Sequence, residues 1–366
     1  MAKTQNDESY YLASQWELMG RKLIKHKLAK FSLYILGLLY FGAIFAGFFA
    51  PQGLTDYDSK TMNAQPTKIH LWDKEKKFHG PFVYGLKSQR DKVTMRKVYV
   101  EDTEKIYKVK FFVKGEKYRI LGIIPSNIHL FGAEEGGRVF LMGTDSMGRD
   151  LFSRLILGSQ VSLTIPLVGA GISFILGIIL GGISGYFGGF IDTCIQRLIE
   201  VICSFPSIPL WMALSAAIPP DIPIVRMYLY ITIIMSFISW TGLARIVRGK
   251  FMSLRKEDFI MAAQIAGVSD VKIIVTHLVP GFLSYLIVDI TLAIPKMIIG
   301  ETSMSFLGLG MRSPATSWGV LLQEAQNITN IAIYPWKLIP LFFVIITVLA
   351  FNFLGDGLRD AADPYK

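Results

Sequence analysis

Charge is scarce in this 366-residue chain: 18% of its residues are Asp, Glu, Lys or Arg, where soluble domains carry about 25%. That shortfall argues against a compact soluble enzyme, whose surface needs more charge. An apolar content of 52% argues against disorder, which goes with low hydrophobicity. Cysteine is nearly missing. Cys194 and Cys203 are the only two, so there is no disulfide framework and no thiolate metal spacing, and both are read as apolar packing residues. Acid is outnumbered by base, 28 to 38, for a net charge of +10, which leaves a membrane or a nucleic acid as partner. No phosphate-cradling G-x-x-x-x-G-K-[ST] loop occurs, so the chain is not expected to bind or hydrolyse ATP, and it is expected to hold no cofactor or metal of its own.

What is present is long apolar blocks. Residues 31–50 carry no charge over 20 positions, enough to cross a hydrocarbon core about 30 Å thick. Residues 155–191 have no charge either, with 161–186 the best span, and 201–220, 227–244 and 338–355 are three more blocks. A sixth, 278–304, is interrupted by Asp289, Lys296 and Glu301. The expectation is an all-α polytopic membrane protein with six spans. The first block has a 30-residue leader and no A-x-A-like site, so it reads as an uncleaved anchor. Lys3, Arg21, Lys22, Lys25, Lys27 and Lys30 precede it, six basic residues from Arg245 to Lys272 lie between the fourth and fifth blocks, and Arg359 and Lys366 close the chain. By the positive-inside rule both termini and the 245–280 segment are cytoplasmic.

Residues 51–140 then fall outside, with 17 Lys and Arg against 11 Asp and Glu. Loops this long translocate regardless of charge. Val, Ile, Tyr and Phe alternate with polar residues over 93–100 and 106–120, with turns expected at Asp102-Thr103-Glu104 and Lys114-Gly115-Glu116, so a small β-rich extracytoplasmic domain is inserted between the first two spans. Lys and Tyr mix there, but a nucleic-acid partner is ranked far below the membrane because topology places the segment outside. Residues 141–160 follow as an interfacial amphipathic segment: the glycines of Gly143-Thr144-Asp145-Ser146-Met147-Gly148-Arg149-Asp150 suit a tight turn and helix cap, and a gating role there is not established by the pattern.

The cytoplasmic loop at 248–280 is the most informative segment. Glu257, Asp258, Phe259, Ile260, Met261, Ala262 and Ala263 read as a short helix with acid at its positive end. Gly267 stops it, Ser269 is placed to cap a second helix, and Pro280 interrupts that one. Ala262, Ala263 and Ala266 give a small-sided apolar surface, which is either a docking knob or a face packed on the protein's own bundle.

This loop resembles the EAA loop of ABC-importer permeases, whose pattern is Glu-Ala-Ala, three residues, Gly, then a distal Ile-x-Leu-Pro. Ala262, Ala263, Gly267 and Pro280 fall on matching positions; Met261 stands in place of the Glu, and Gly281 where Asn is usual. Residues 143–154, the stretch from Glu301 to Gly310 with Pro314 and Trp318-Gly319, and the ending from Asn352 to Asp360 with Asp363-Pro364 are similar to the oligopeptide/dipeptide (nickel) permease C-type subunit. The resemblance covers about 20–50 and 140–366 and leaves the 51–140 insertion uncovered.

The resemblance implies a type I importer transmembrane domain in a bacterial inner membrane. It implies a second permease that completes the pathway, two cytoplasmic ATPases that bind ATP and Mg and receive the EAA helix, and an external solute-binding protein. Oligopeptides or dipeptides are the default substrate, with oligosaccharide or nickel complexes as alternatives. A secondary transporter would explain the intramembrane charges but not the loop. Asp289, Lys296 and Glu301 are candidates for the translocation path, since ionisable residues in a span face a bundle interior or a watery cavity; pairing with a neighbouring helix is the competing reading. The insertion either docks the binding protein or braces the partner permease.

Overall fold

A computed structural model describes residues 15–92, 95–120, 122–219 and 221–363, and the side chains from Glu17 onward within them. Expectations resting on Lys3, Val93, Pro220, Pro364 and Lys366 lie outside the described residues. The principal helices are α1 (Gln15–Lys25), α2 (Lys27–Ile44), α3 (Leu151–Phe187), α4 (Gly189–Cys203), α5 (Ser207–Ala216), α6 (Ile224–Leu254), α7 (Asp258–Ile265), α8 (Leu283–Phe306), α9 (Trp318–Leu322) and α10 (Ile339–Ala362), besides short helical segments such as Ala46–Phe49, Asp270–Ile273 and Ile328–Ile333. Five stretches are long and apolar enough to cross a membrane, and a sixth is obtained if the bent pair α4 and α5 counts as one span. The third span expected over 201–220 is therefore not straight: α4 and α5 meet at 84°. Pro206, at the break, has an extended backbone with ψ 131° and stands at the cap position of α5; it has no N–H to donate to α4 and disfavours helical backbone in the residue before it.

The chain divides into two compact units. The first comprises Met1–Gly37, Ile165–Gly300 and Ile346–Lys366. Its α3 and α6 approach closely along a column of glycines. A Cβ on Gly181 would lie 2.4 Å from the Ala244 carbonyl oxygen, and one on Gly185 would lie 2.6 Å from the Arg248 carbonyl oxygen. Only glycine permits that backbone-to-backbone contact, and without a hydrophobic drive between helices in lipid, close packing is what associates them. At one end of this pair, Val247, Phe251, Ile260, Ile273, Leu278 and Leu286 form a buried apolar cluster. Asp192 on α4 binds Arg248 on α6 through two bonds, Nε to Oδ1 at 2.5 Å and Nη2 to Oδ2 at 2.6 Å. In the same unit Lys22 Nζ donates to the Asp363 carbonyl at 3.0 Å, so the ends of α1 and α10 lie on one side.

The second unit comprises Leu38–Thr164 and Glu301–Ile345. It holds one four-stranded antiparallel meander, β1 (His70–Trp72), β2 (Phe78–Arg90), β3 (Lys97–Ile120) and β4 (Ile124–Ala133), in the order β1-β2-β3-β4. Val83, Val109, Phe131 and Val139 make its buried core. The two turns expected at 102–104 and 114–116 are not turns: both segments run inside the 24-residue β3. The strand absorbs their polar residues as register irregularities, opposite Tyr84/Gly85 on β2 and between Lys114 and Tyr118. The interfacial segment expected over 141–160 is not a separate element either. From Leu151 it is the first part of α3, which continues unbroken through Gly158 and Pro166.

Candidate coupling surface and membrane cleft

α7 is short because its two ends are specified. Glu257 sits at the cap position in extended backbone with Asp258 in the first turn, and Gly267 ends the element at φ +75°, a region that side-chain-bearing residues avoid. Its inner face is fixed: Ile260 is fully buried in the apolar cluster and Ala263 packs at its edge. Burial of Ile260 contributes about 2 kcal/mol. Its outer face is free. Phe259, Met261 and Ala262 are exposed, and Ile265 is 89% exposed. The helix is thus anchored on one side and presents apolar side chains on the other.

Polar contacts tie the loop to the end of α3. The Tyr186 hydroxyl donates to Asp270 Oδ1 at 2.6 Å and accepts from Gln264 Nε2 at 3.3 Å. Arg255 Nη1 donates to the Tyr186 carbonyl at 2.8 Å. Gln264 and Asp270 flank Gly267, so both helices of the loop are held by one phenol. Ser269 occupies the cap position of the next helix without a side-chain cap bond. Pro280 starts a tight turn that leads into α8.

Asp289 and Lys296 open onto one cleft of about 510 Å³ in the first unit, together with Cys203, Trp211, Ser239 and Thr241. The seven-residue spacing places the two charges on one helix face two turns apart. Among the described residues no ion pair joins either one to a neighbour. Cys194 and Cys203 are exposed rather than packed inside, and Cys203 Sγ donates to Thr241 Oγ1 at 3.6 Å. Glu301 is not in this cleft. It is fully buried in the second unit, where Ser305 Oγ donates to it at 2.8 Å and Ser162 Oγ lies 3.5 Å away. Its nearest polar groups are serine hydroxyls.

The 143–154 motif is a folded polar knot. Gly143 and Gly148 have φ of +77° and +80°, and Gly148 lies directly against the Asp58 carbonyl. Asp145 accepts from the Met147 and Arg149 amides at 2.8 and 2.9 Å, binds Arg149 Nε at 2.7 Å, and also pairs with Arg154. Asp150 caps α3 by accepting from the Ser153 amide at 2.8 Å and hydroxyl at 2.5 Å. Burial pushes its carboxyl up to about 6, against the opposing pull of those bonds. Glu324 accepts from Ser146 and pairs with Lys337 Nζ at 2.7 Å.

Two features escaped the sequence reading. The spacing Gly177-x₃-Gly181-x₃-Gly185 was available as a small-residue helix face. Tyr186 had no local signal, since its partners lie 78 and 84 positions away.

Residues 173–365 match the family described as "Binding-protein-dependent transport system inner membrane component", and residues 14–66 match "N-terminal TM domain of oligopeptide transport permease C". The "Oligopeptide transport system permease protein OppC" of Haemophilus influenzae is 42% identical over 223 residues, covering 61% of this chain and 69% of that protein. The "Dipeptide transport system permease protein DppC" of Bacillus subtilis is 38% identical, covering 61% and 68%. A solved methionine ABC transporter in an inward-facing conformation is 18% identical, covers 59% of this chain and 99% of its own, and gives a TM-score of 0.45. The chain belongs to the family of binding-protein-dependent ABC transport permeases, as a C-type subunit of the oligopeptide/dipeptide group.

Proposed function

We propose that this chain is one of two permease subunits enclosing the path of an ABC importer for oligopeptides or dipeptides. A second permease completes the path, two cytoplasmic ATPases hydrolyse ATP, and an extracytoplasmic binding protein delivers the solute. The reading places α7 on an ATPase, with Phe259, Met261 and Ala262 at the contact, Glu257 and Asp258 at its entry, and Gly267 and Pro280 fixing the two ends of the loop. The observation that carries it is the two-sided character of α7: Ile260 locks one face into the protein while Ile265 leaves the other 89% exposed. A lever needs both a fixed side and a receiving side.

Nucleotide-driven closure of the ATPases would displace α7, and Tyr186 would pass the displacement to α3. Rocking of the paired helices between inward-open and outward-open forms would expose the Asp289 and Lys296 cleft alternately to the two sides. Carboxylate and ammonium on one helix face suit the two charged ends of a peptide. The side shared by the ends of α1 and α10 and the basic residues at both favour cytoplasmic termini in the inner membrane.

The test is co-purification with the ATPases followed by nucleotide-dependent uptake in proteoliposomes. Gly267→Asp, which forces a side chain onto φ +75°, is expected to lower ATPase assembly or uptake. Wild-type levels of both in that variant, or gradient-driven uptake by the isolated chain, would overturn the reading.

A further inference from the structure

Hairpin tips in soluble domains are polar, because their backbone and side chains face water. The tip joining β3 to β4 is not. Ile120 and Ile124 face each other across the last pair of the ladder, Gly122 turns the chain at φ +73°, and Ile123 and Ile124 are 78% and 60% exposed. Nothing among the described residues covers them. Exposed apolar clusters of this kind mark a binding surface.

The hairpin's place in its unit says which surface. The uncharged run 31–50 begins in α2 after Lys27 and Lys30 and rises about 30 Å, one hydrocarbon thickness. Ala46–Phe49 is its last turn, so it lies at the end of the span, next to the membrane surface. The hairpin rests on this turn. The Tyr118 ring covers Gly47 so closely that no Cβ would fit, and Phe112 lies 6.2 Å from Phe48 between ring centroids. Phe112 reaches there at φ +56°, a strained conformation for a phenylalanine, and is still 67% exposed. By strand alternation Ile120 and Ile124 share the face of Tyr118, so the apolar face of the tip continues the surface that begins at Gly47.

Lys117 and Arg119 alternate with Tyr118 and lie on the opposite face, while Lys114, paired with Ile128 as Tyr118 is with Ser126, borders the apolar face itself; all three are exposed, and no ion pair engages them among the described residues. Lys110, by contrast, is held by Glu134 at 2.9 Å. An apolar face bordered by long cationic side chains, at the depth where a span ends, is complementary to an anionic phospholipid surface.

The geometry points to a membrane anchor: the β3–β4 tip inserts Ile123, Ile124 and Phe112 into the headgroup boundary of the leaflet where α2 ends, and Lys114, Lys117 and Arg119 hold anionic lipid headgroups around it. The anchor clamps the inserted sheet onto the bilayer, and it requires only that α2 spans, not any particular substrate or partner. Residues 67–172, which include the hairpin, lie between the two segments matched to the family.

The test uses the full-length chain with Cys194→Ser and Cys203→Ser, carrying Ile123→Cys labelled with an environment-sensitive nitrobenzoxadiazole dye. It is reconstituted in vesicles of phosphatidylethanolamine and phosphatidylglycerol, with and without brominated acyl chains. The same label at Lys87→Cys on β2 is the water-exposed reference. Blue-shifted emission at 123 with quenching by brominated lipid, weakened when phosphatidylglycerol is replaced by phosphatidylcholine or when Lys114, Lys117 and Arg119 are changed to Gln, is the expected result. Emission at 123 equal to that at 87 and unaffected by brominated lipid would overturn the anchor. A blue shift that appears only on adding binding protein or a partner permease would overturn it in favour of a protein contact. Nucleotide-dependent uptake by the chain with both native cysteines, reconstituted with the second permease and the ATPases, reports on the permease reading separately.

Discussion

The Tyr186 hydroxyl donates to Asp270 across 2.6 Å, joining the last turn of α3 to the helix that follows Gly267. The bond spans 84 positions of sequence and is shorter than the 2.8 Å Arg255 and 3.3 Å Gln264 contacts to the same tyrosine. Removing it with Tyr186→Phe keeps the ring in its apolar surroundings and costs about 1 kcal/mol. The expected outcome is faster amide exchange over 264–273 in hydrogen–deuterium exchange, with ATPase assembly retained and uptake reduced. Unchanged exchange in that stretch would mean the hydroxyl does not hold the loop.

The two faces of α7 separate stability from docking. Ile265→Asp alters a side chain that is 89% exposed, so the thermal midpoint should stay within a degree or two of wild type while co-purification with the ATPases is lost. Ile260→Ala opens the buried cluster and should cost about 2–5 kcal/mol. A thermal scan and a pull-down on both variants check the pair, and an ATPase yield unaffected by Ile265→Asp would contradict a docking role for that face.

In the cleft, the double variant Asp289→Asn, Lys296→Met keeps side-chain volume and removes both charges. Peptide uptake should fall at least tenfold while the subunits still assemble. Glu301→Gln, in a site of hydroxyl donors outside the cleft, should leave substrate affinity unchanged. Wild-type uptake by the double variant would remove both residues from the path.

Asp150 gives a pH signature. Burial raises its folded-state pKa from 3.8 to about 6, so from about pH 4 to pH 6 the folded chain holds a proton that the unfolded chain has lost. Stability therefore falls as pH rises through that window and levels off above it, by on the order of 1–3 kcal/mol. Asp150→Asn keeps a cap oxygen for the Ser153 amide and has no proton to lose. Thermal midpoints in detergent should show the variant gaining on wild type from pH 5 to pH 7.5; a constant difference would contradict the shift.

The apolar blocks made the spans legible because lipid demands uncharged runs, and Gly267 made the end of α7 legible because a positive φ selects glycine. Less was readable where two local rules competed. Asp102-Thr103-Glu104 carries turn residues, yet its pairing with β2 outweighs them and β3 runs through. Residues 201–220 are apolar enough for one span, but Pro206 divides them at 84°, and apolarity alone reports nothing about direction. Asp289 and Lys296 open onto one cleft as their shared helix face suggested, whereas Glu301, five residues farther along the same helix, is buried elsewhere. Tyr186 stayed invisible because a tertiary hydrogen bond leaves no periodic trace.

Adjacent glycines on α3 have opposite prospects for repair. A methyl added at Gly182 meets the outer edge of the Phe251 ring at 2.9 Å, and a smaller residue at 251 removes that obstacle. A methyl at Gly181 meets the Ala244 carbonyl oxygen at 2.4 Å, a group present in every amino acid. A second-site change can suppress damage at the first position, while damage at the second can be relieved only by moving a whole helix.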